Sequence, residues 1–163
     1  MTYFRDLMKD SEAAARSHLF VGEEVLATAR CADITTTGDL DSAGAAWTYV
    51  MVTDRRLLWA PSIRKLAATC SLDLDAIRRC NEVHWRHRCA MSMHHDPLVR
   101  QYFAPNGRQK NWEYTSMDVM FGLLSKTILG FSRPTTVVTE KLKEQLAARG
   151  VDARPIESAD RLP

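Results

Sequence analysis

The alternation of side chains along the chain is clearest in Trp47–Pro61, WTYVMVTDRRLLWAP. From Trp47 to Val52 the residues alternate between two faces with a period of two, which is the period of a β-strand. The polar residues Thr53–Arg56 interrupt the apolar run, and Leu57–Trp59 resumes it before a proline. This pattern predicts two antiparallel strands joined by a tight turn.

Other short apolar segments, bounded by turn-forming residues, predict strands at Glu24–Ala32, Ala68–Leu74, Leu98–Phe103 and Ser125–Phe131. Asp33–Gly44 is rich in Thr, Gly and Asp and predicts an exposed loop. Glu82–His94 alternates throughout and predicts either one long bent strand or a hairpin that turns near Trp85–Arg88. In both cases we expect the odd-numbered residues, Val83 to Met93, to face inward. The even-numbered residues then face outward: Glu82, His84, Arg86, Arg88, Ala90, Ser92 and His94.

Two segments have helical periodicity. Residues 2–19 carry an apolar stripe, and the charged residues take the other positions. A second helix opens near Ser132–Pro134, carries the stripe Val138, Leu142 and Leu146, and ends at Gly150. The polar segment Val151–Pro163 has no apolar period, and we expect it to be loosely held. The predicted organisation is therefore a helix over 1–20, a domain over 21–150 and a tail over 151–163.

Many short strands followed by one helix predict a mainly β fold, of α+β type, in which a bent antiparallel sheet or partly open barrel is plugged by the helix. The chain has 163 residues, which favours one domain, and 45% of them are hydrophobic. No apolar run approaches the roughly 18–20 residues that cross a bilayer. The first residues include acids where a signal peptide is basic. These features predict a cytoplasmic protein, and the four cysteines, none in a CxxC pair, are expected to be free thiols.

Three segments together resemble a known family. They are Gly22–Leu26 at the first strand, Val52–Trp59 (VTDRRLLW) across the hairpin, and Ile128–Leu146 over the closing strand and helix. They are similar to the bacterial pleckstrin-homology-like domains, PH-like or GRAM-like, over residues 20–150. The resemblance implies a bent antiparallel β-barrel or sandwich of about seven strands capped by a C-terminal helix, to which the N-terminal helix is an addition. Such domains bind phosphoinositides, peptides or other proteins, or serve as scaffolds.

The middle of the chain is basic. Residues 54–110 hold eleven basic and five acidic residues, a net charge of +6 in a chain whose total is +2. The residues that could bind an anionic ligand are Arg55, Arg56, Arg64, Lys65, Arg86 and Arg88. Unlike the PH-like domains that bind inositol phosphates, this chain has an acidic segment, Asp33–Asp41, after its first strand. The alternative interpretation is that the six residues lie on solvent-exposed strand faces and turns and bind no ligand.

A second candidate group comprises Cys80, His84, His87, Cys89, His94 and His95. Zinc needs four convergent nitrogen or sulfur ligands. On a single strand His84 lies on the opposite face from Cys89, although a hairpin would bring some of these residues together. His87 and Cys89 share a face with apolar neighbours, which favours a cysteine packed in the core over a catalytic one. We therefore predict no metal, no cofactor and no enzymatic activity.

The sequence predicts a non-enzymatic binding or scaffold module that binds an unidentified protein partner or associates with itself. The partner would dock on the N-terminal helix, a sheet edge or the C-terminal helix. The alternative is peripheral binding of anionic lipid headgroups through the six basic residues. A third hypothesis is a metal-binding protein or enzyme that uses His84, His87 and Cys89. Dispersed basic residues and the absence of a recognised motif predict no nucleic-acid partner.

Overall fold

The computed structural model describes residues 11–31, 33–36, 48–61, 68–85, 88–96, 98–103, 108–113, 125–131 and 137–156. The described part of helix α1 covers residues 11–17. The strands and helices that follow are β1 (Val25–Cys31), β2 (Asp33–Thr36), β3 (Thr48–Thr53), β4 (Arg56–Pro61), β5 (Ala68–Asp73), a 3₁₀ helix (Leu74–Ala76), β6 (Ile77–Trp85), β7 (Arg88–His95), β8 (Leu98–Phe103), β9 (Arg108–Glu113), β10 (Ser125–Phe131), α2 (Val137–Ala148) and β11 (Ala153–Ile156).

The fold is mainly β, an α+β arrangement of two sheets and two helices. One sheet has six strands in the order β1-β3-β4-β5-β8-β9, and the other has five in the order β11-β6-β7-β10-β2. Pairing is antiparallel except between β11 and β6. The predicted mainly β, α+β class is confirmed, whereas over the described residues the two sheets are not closed into a barrel and hold eleven strands where the predicted barrel or sandwich has about seven. The β8–β9 hairpin widens the first sheet, and β11 widens the second.

The main core lies between the two sheets and α2. The first sheet contributes Val50, Leu57 and Trp59, the second contributes Met91 and Met93, and all five are buried. The stripe of α2 that the sequence predicted, Val138, Leu142 and Leu146, is fully buried in the same cluster. The helix therefore plugs the space between the sheets by burying one apolar face.

On the other face of the six-stranded sheet, α1 packs on β3 and β4. Ala15 is buried there against four residues of β3 and β4, and Leu19 packs on the same cluster, which comprises Tyr49, Met51, Leu58 and Ala60. A register irregularity between Val25 and Ala27 places Val25 with this outer cluster and Ala27 in the main core. Consequently all six residues of β3 are buried, although the simple alternation of the sequence could equally have left one face in water.

The β6–β7 hairpin confirms one of the two predictions for Glu82–His94, because Trp85 pairs with Arg88 at the turn. The expectation that the even-numbered residues face outward is wrong where their burial is described. Glu82, Ala90, Ser92 and His94 are all buried. The turn pairs Glu82 with Met91, so an even position of β6 shares a face with an odd position of β7.

Two segments expected to be irregular form strands. Asp33–Thr36 lay in a predicted loop, but it pairs with β10 as β2. Ala153–Ile156 lay in a predicted tail, but it pairs with β6 in parallel as β11. The predicted helix stop is confirmed: Gly150 has φ 78°, its N–H donates to the Ala147 carbonyl, and the Val151 N–H donates to the Leu146 carbonyl. In the described part of the chain, no helix is long and apolar enough to cross a membrane.

Candidate functional site

Many of the polar contacts among the described residues meet at the hairpin turn between β3 and β4. Arg55 and Arg56 lie in this turn and are two of the six residues predicted to bind an anionic ligand. Arg55 is exposed, with half of its side-chain surface in water. Arg56 has no exposed surface, so the expectation that it projects into solvent is wrong. A buried guanidinium requires a charged partner, and that partner comes from the segment before β1.

Glu23 supplies the partner in a two-pronged ion pair. The Arg56 Nε donates to Glu23 Oε1 at 2.8 Å, and Nη2 donates to Glu23 Oε2 at 2.9 Å. Neither side chain has exposed surface. The same Nη2 also donates to the main-chain carbonyl of His18. This fork geometry matches a planar guanidinium to a planar carboxylate, and it ties the N-terminal segment to the hairpin.

Thr53 organises the turn from within. Its Oγ1 accepts hydrogen bonds from the N–H groups of Arg55 and Arg56, at 3.1 and 3.0 Å. Its hydroxyl donates to Glu23 Oε1 at 2.7 Å. A Thr side chain that accepts from the following backbone N–H groups is a common turn former. The segment TDRR therefore closes the hairpin and at the same time directs the Arg56 side chain toward Glu23 of the N-terminal segment.

Phe20–Glu23 forms the tight turn that presents the carboxylate. Gly22 has φ 79°, a left-handed conformation that favours glycine, and the Glu23 N–H donates to the Phe20 carbonyl. The Phe20 N–H donates back to Glu23 Oε2 at 2.8 Å. The ring of Phe20 lies 3.9 Å from the Arg56 guanidinium carbon, a stacked cation–π contact. We call residues 11–24 the N-terminal strap, and the Glu23–Arg56–Thr53 contacts its clasp.

The other side of the hairpin turn is held by the C-terminal half of the chain. Arg149, just after α2, donates from Nη2 to the Asp54 carbonyl and from Nε to Asp75 Oδ1, both at 2.9 Å. The Leu74 N–H donates to the Arg55 carbonyl at 3.0 Å. The turn thus joins the strap, α2 and the 3₁₀ helix, and its charged groups connect elements of the fold.

The clasp changes the acidity of two groups. Burial alone would raise the pKa of Glu23, but hydrogen bonds from Arg56, the Phe20 N–H and Thr53 hold it below its ordinary value. Burial lowers the pKa of His18, and the nearby charge of Arg56 lowers it further. The clasp therefore favours a charged Glu23 and a neutral His18.

The remaining basic candidates lie wholly or partly outside the described residues. Arg64 and Lys65 follow Pro61, the last residue of β4, at the opposite end of that strand from Arg56, and their own placement lies outside the described residues. Six strand residues span about 20 Å. Arg86 also lies outside the described residues, and Arg88 begins β7 in the other sheet, with its side chain outside them. Whether any of these residues binds a ligand stays a prediction.

A second polar cluster lies on the core-facing side of the β6–β7 hairpin. Lys143 of α2 reaches Glu82 Oε2 at 3.1 Å, and Glu140 Oε1 at the same distance. The Cys89 thiol donates to Glu82 Oε1 at 4.0 Å. Burial and Glu82 raise the pKa of Cys89 to about 11, and burial raises those of Cys70 and Cys80 to about 12. These thiols are protonated near neutral pH, which disfavours them as nucleophiles.

The hairpin brings the candidate metal ligands only partly together. His84 pairs with Cys89 in register, but its side chain, like the whole of His87, lies outside the described residues. His95 is buried, with its Nδ1 2.7 Å from the Asp96 carbonyl oxygen, and burial lowers its pKa. Among the residues that the structure describes, no group of three His, Cys, Asp or Glu side chains could hold a metal ion. Cys70, Cys80 and Cys89 are free thiols, as predicted.

The sequence did not identify Glu23 as the acid that pairs with the buried Arg56. The available signal was Gly22-Glu23-Glu24, a turn with two acids before the first strand, but nothing in the sequence pairs it with a residue 33 positions later. Compared with known proteins, the chain matches no family model and no curated protein.

Proposed function

We propose that the chain is a non-enzymatic PH-like binding or scaffold domain that binds a protein partner or a second copy of itself. Three features support the PH-like assignment. β1 and β2 are adjacent in the chain but lie in different sheets, so the first strand segment passes from one sheet to the other. The C-terminal helix plugs the core between the sheets, and the VTDRRLLW segment forms the hairpin. The additional β8–β9 hairpin is an insertion into that plan.

The functional proposal rests on one observation: three of the described basic side chains bond to other elements of the fold. Arg56 joins the strap to the hairpin, Arg149 joins α2 to the hairpin turn, and Lys143 joins α2 to the second sheet. Catalytic groups instead converge on a position that a substrate can occupy. In a scaffold, charged side chains can serve to hold strands and helices in place, and these three residues make contacts of that kind.

The edge strand β9 is the surface on which we place the partner. Among the described strands it pairs with β8 alone, so its other edge can accept an added strand. Arg108 and Lys110 lie on this strand.

Proline scanning of β9 tests the proposal. Adjacent residues of a strand point their N–H groups to opposite sides, so one of Gln109→Pro and Lys110→Pro removes a donor only from the outer edge. The other removes a bond to β8 and serves as the matched control for damage to the fold. We expect light scattering over a concentration series, or capture from the native cell lysate, to show an association that the outer-edge variant loses while its thermal unfolding stays cooperative. A monomer at every concentration, with capture unchanged in both variants, would contradict the proposal.

Binding of anionic lipid headgroups is the alternative, and exposed Arg55 is the described residue that favours it. Its charge is partly offset by Asp54, whose Oδ2 lies 3.8 Å from the Arg55 Nε. This alternative predicts that the protein pellets with vesicles of anionic phospholipid at low salt, and that Arg55→Gln weakens the pelleting. Equal recovery with neutral and anionic vesicles would exclude it.

A further inference from the structure

The five-stranded sheet carries two exposed arginines with unpaired charges on the face that turns away from the core. They are Arg79 of β6 and Arg154 of β11. Within the described part of the chain, neither side chain takes part in a salt bridge or a hydrogen bond. By contrast, Arg56, Arg78 and Arg149 each bind a carboxylate. Two neighbouring cations without an acid partner are suited to an anion from outside the chain.

The register of the strands places both arginines next to the same asparagine. Arg154 pairs with Asn81 across the parallel ladder of β11 and β6, and Arg79 precedes Asn81 by two positions on the same strand. Cys80 and Ala153 pack in or against the main core, so the alternating positions face away from it. Two positions along a strand and one strand across put the Cα atoms of the two arginines about 8 Å apart. Both guanidinium groups can therefore reach one anion.

The other neighbour of Asn81 is a buried serine whose hydroxyl has no partner. Ser92 of β7 pairs with Asn81 in register, and it has no exposed surface. Its Oγ makes no hydrogen bond in the structure as described. Asn81 is itself only 7% exposed. A buried hydroxyl without a partner is unfavourable for the fold, and it calls for a group that the protein does not supply. We call Arg79, Asn81, Ser92 and Arg154 the arginine cluster.

A phosphoryl group matches the donors of the arginine cluster. It carries negative charge and three strong acceptor oxygens, which the planar forks of two arginines can bind in pairs. An amide and a hydroxyl can donate to the remaining lone pairs. We propose that the arginine cluster binds the phosphoryl group of a phosphate ester. This site lies in the opposite sheet from the edge strand β9, so it is independent of the proposed partner surface.

The charged and titratable groups around the cluster leave it positive. Asp152 lies two residues before Arg154 and is exposed. Asp33 has a register position on the same face, but it lies on β2, three strands away from β6. Glu82 follows Asn81 but belongs to the core-facing side, where it binds a lysine of α2. His94 pairs with Arg79 and is nearly buried. Two arginines thus face one nearby acid.

Titration of the full chain with inorganic phosphate, at constant ionic strength and followed by NMR, tests the proposal. We expect the backbone amide signals of Asn81 and Ser92 to shift together. Arg79→Gln and Arg154→Gln should each weaken binding by about tenfold or more, the loss expected for one charge-assisted hydrogen bond. Arg78→Gln is the matched control, because it removes the same charge from the adjacent position. That charge is already paired with Asp96, so binding should change by less than about twofold.

Two further variants give effects of opposite sign. Asp152→Asn removes the nearby acid and should tighten binding. Ser92→Ala removes the buried hydroxyl and should weaken binding without lowering the midpoint of thermal unfolding, because that hydroxyl has no partner in the fold. The proposal is overturned if phosphate shifts no signal of β6, β7 or β11, or if Arg78→Gln weakens binding as much as Arg79→Gln. If Ser92→Ala does not fold, the exposed variants decide the matter.

Vesicles distinguish a soluble phosphate ester from a lipid headgroup. The protein is mixed with vesicles of phosphatidylcholine, with and without phosphatidic acid, and pelleted. Pelleting that needs phosphatidic acid and is lost in Arg79→Gln identifies a lipid-borne phosphoryl group, whereas phosphate-dependent NMR shifts without pelleting identify a soluble one. Arg55→Gln is the control, because its hairpin belongs to the other sheet and its loss should leave binding at the arginine cluster intact.

Discussion

The two faces of the six-stranded sheet are covered in different ways. The inner face packs on the second sheet and on α2, and its cluster draws apolar residues from every layer. The outer face carries a smaller cluster covered by α1, and a buried ion pair holds that cover in place. Apolar burial is not directional, whereas a buried ion pair stabilises the fold only while both charged partners are present and correctly placed. The inner face is therefore held mainly by apolar packing, whereas the cover of the outer face also depends on a buried pair of charges.

Leu57→Ala and Leu58→Ala compare the two faces directly, and they carry the largest expected effect. The two leucines are adjacent on β4 and fully buried, Leu57 in the inner cluster and Leu58 in the outer one. We expect Leu57→Ala to cost about 4–5 kcal/mol of unfolding free energy and Leu58→Ala about 2–3 kcal/mol, because α1 can settle into the space that Leu58 leaves. Urea denaturation measures both values. An equal or larger loss for Leu58→Ala would show that the outer cover is as rigid as the core.

Arg56→Met tests the polar part of the outer cover. It leaves the buried Glu23 carboxylate without its cation, and we expect a loss of about 3–5 kcal/mol. The double variant Arg56→Met/Glu23→Gln removes both charges and should recover much of that loss, since most of it is the cost of an unpaired buried charge. Urea denaturation of the wild type, both single variants and the double variant gives the coupling energy. A coupling near zero would mean that the clasp does not hold the strap.

The elements of the fold also differ in whether the sequence alone could predict them. The β3–β4 hairpin, the turn at Trp85–Arg88 and the α2 stripe were predictable because each follows from local periodicity. The strand Asp33–Thr36 was not, because its pairing partner β10 lies some ninety residues later. The same holds for β11, which depends on β6.

The candidate site shows this limit most clearly. Arg55 and Arg56 are neighbours with the same side chain, and the sequence treats them alike. The structure exposes one and buries the other, because strand alternation turns Arg56 toward Glu23. Burial of a charge depends on a distant partner, and a single sequence does not identify that partner.

Lys143→Met tests whether the loss of a polar contact on the inner face costs as much unfolding free energy as the loss of the clasp. Lys143 is partly exposed and pairs with the nearly buried Glu82. We expect a loss of about 1–2 kcal/mol, below that of Arg56→Met, because water can still reach the pair. Lys141→Met on the same helix is the control, since its partner Glu144 is exposed and the pair is worth less than about 1 kcal/mol. Equal losses in the two variants would remove the distinction between these positions.

Arg78→Gln has the smallest expected effect on stability. It separates the contribution of burial from that of geometry, because it removes an exposed ion pair with the same geometry as the clasp. Arg78 binds Asp96 with two nitrogens, at 3.1 and 2.6 Å, which is the same fork that Arg56 makes with Glu23. Both partners are largely exposed, however, so water and salt compete for the same charges. Arg78 holds the pKa of Asp96 below its ordinary value of 3.8, so the pair stabilises the fold at neutral pH and is lost as the pH falls through the folded pKa. We expect Arg78→Gln to leave the urea midpoint at 1 M salt within experimental scatter, whereas Arg56→Met lowers it at any salt concentration. If the two variants respond alike to salt, the fork geometry and not its burial would determine the strength of the clasp.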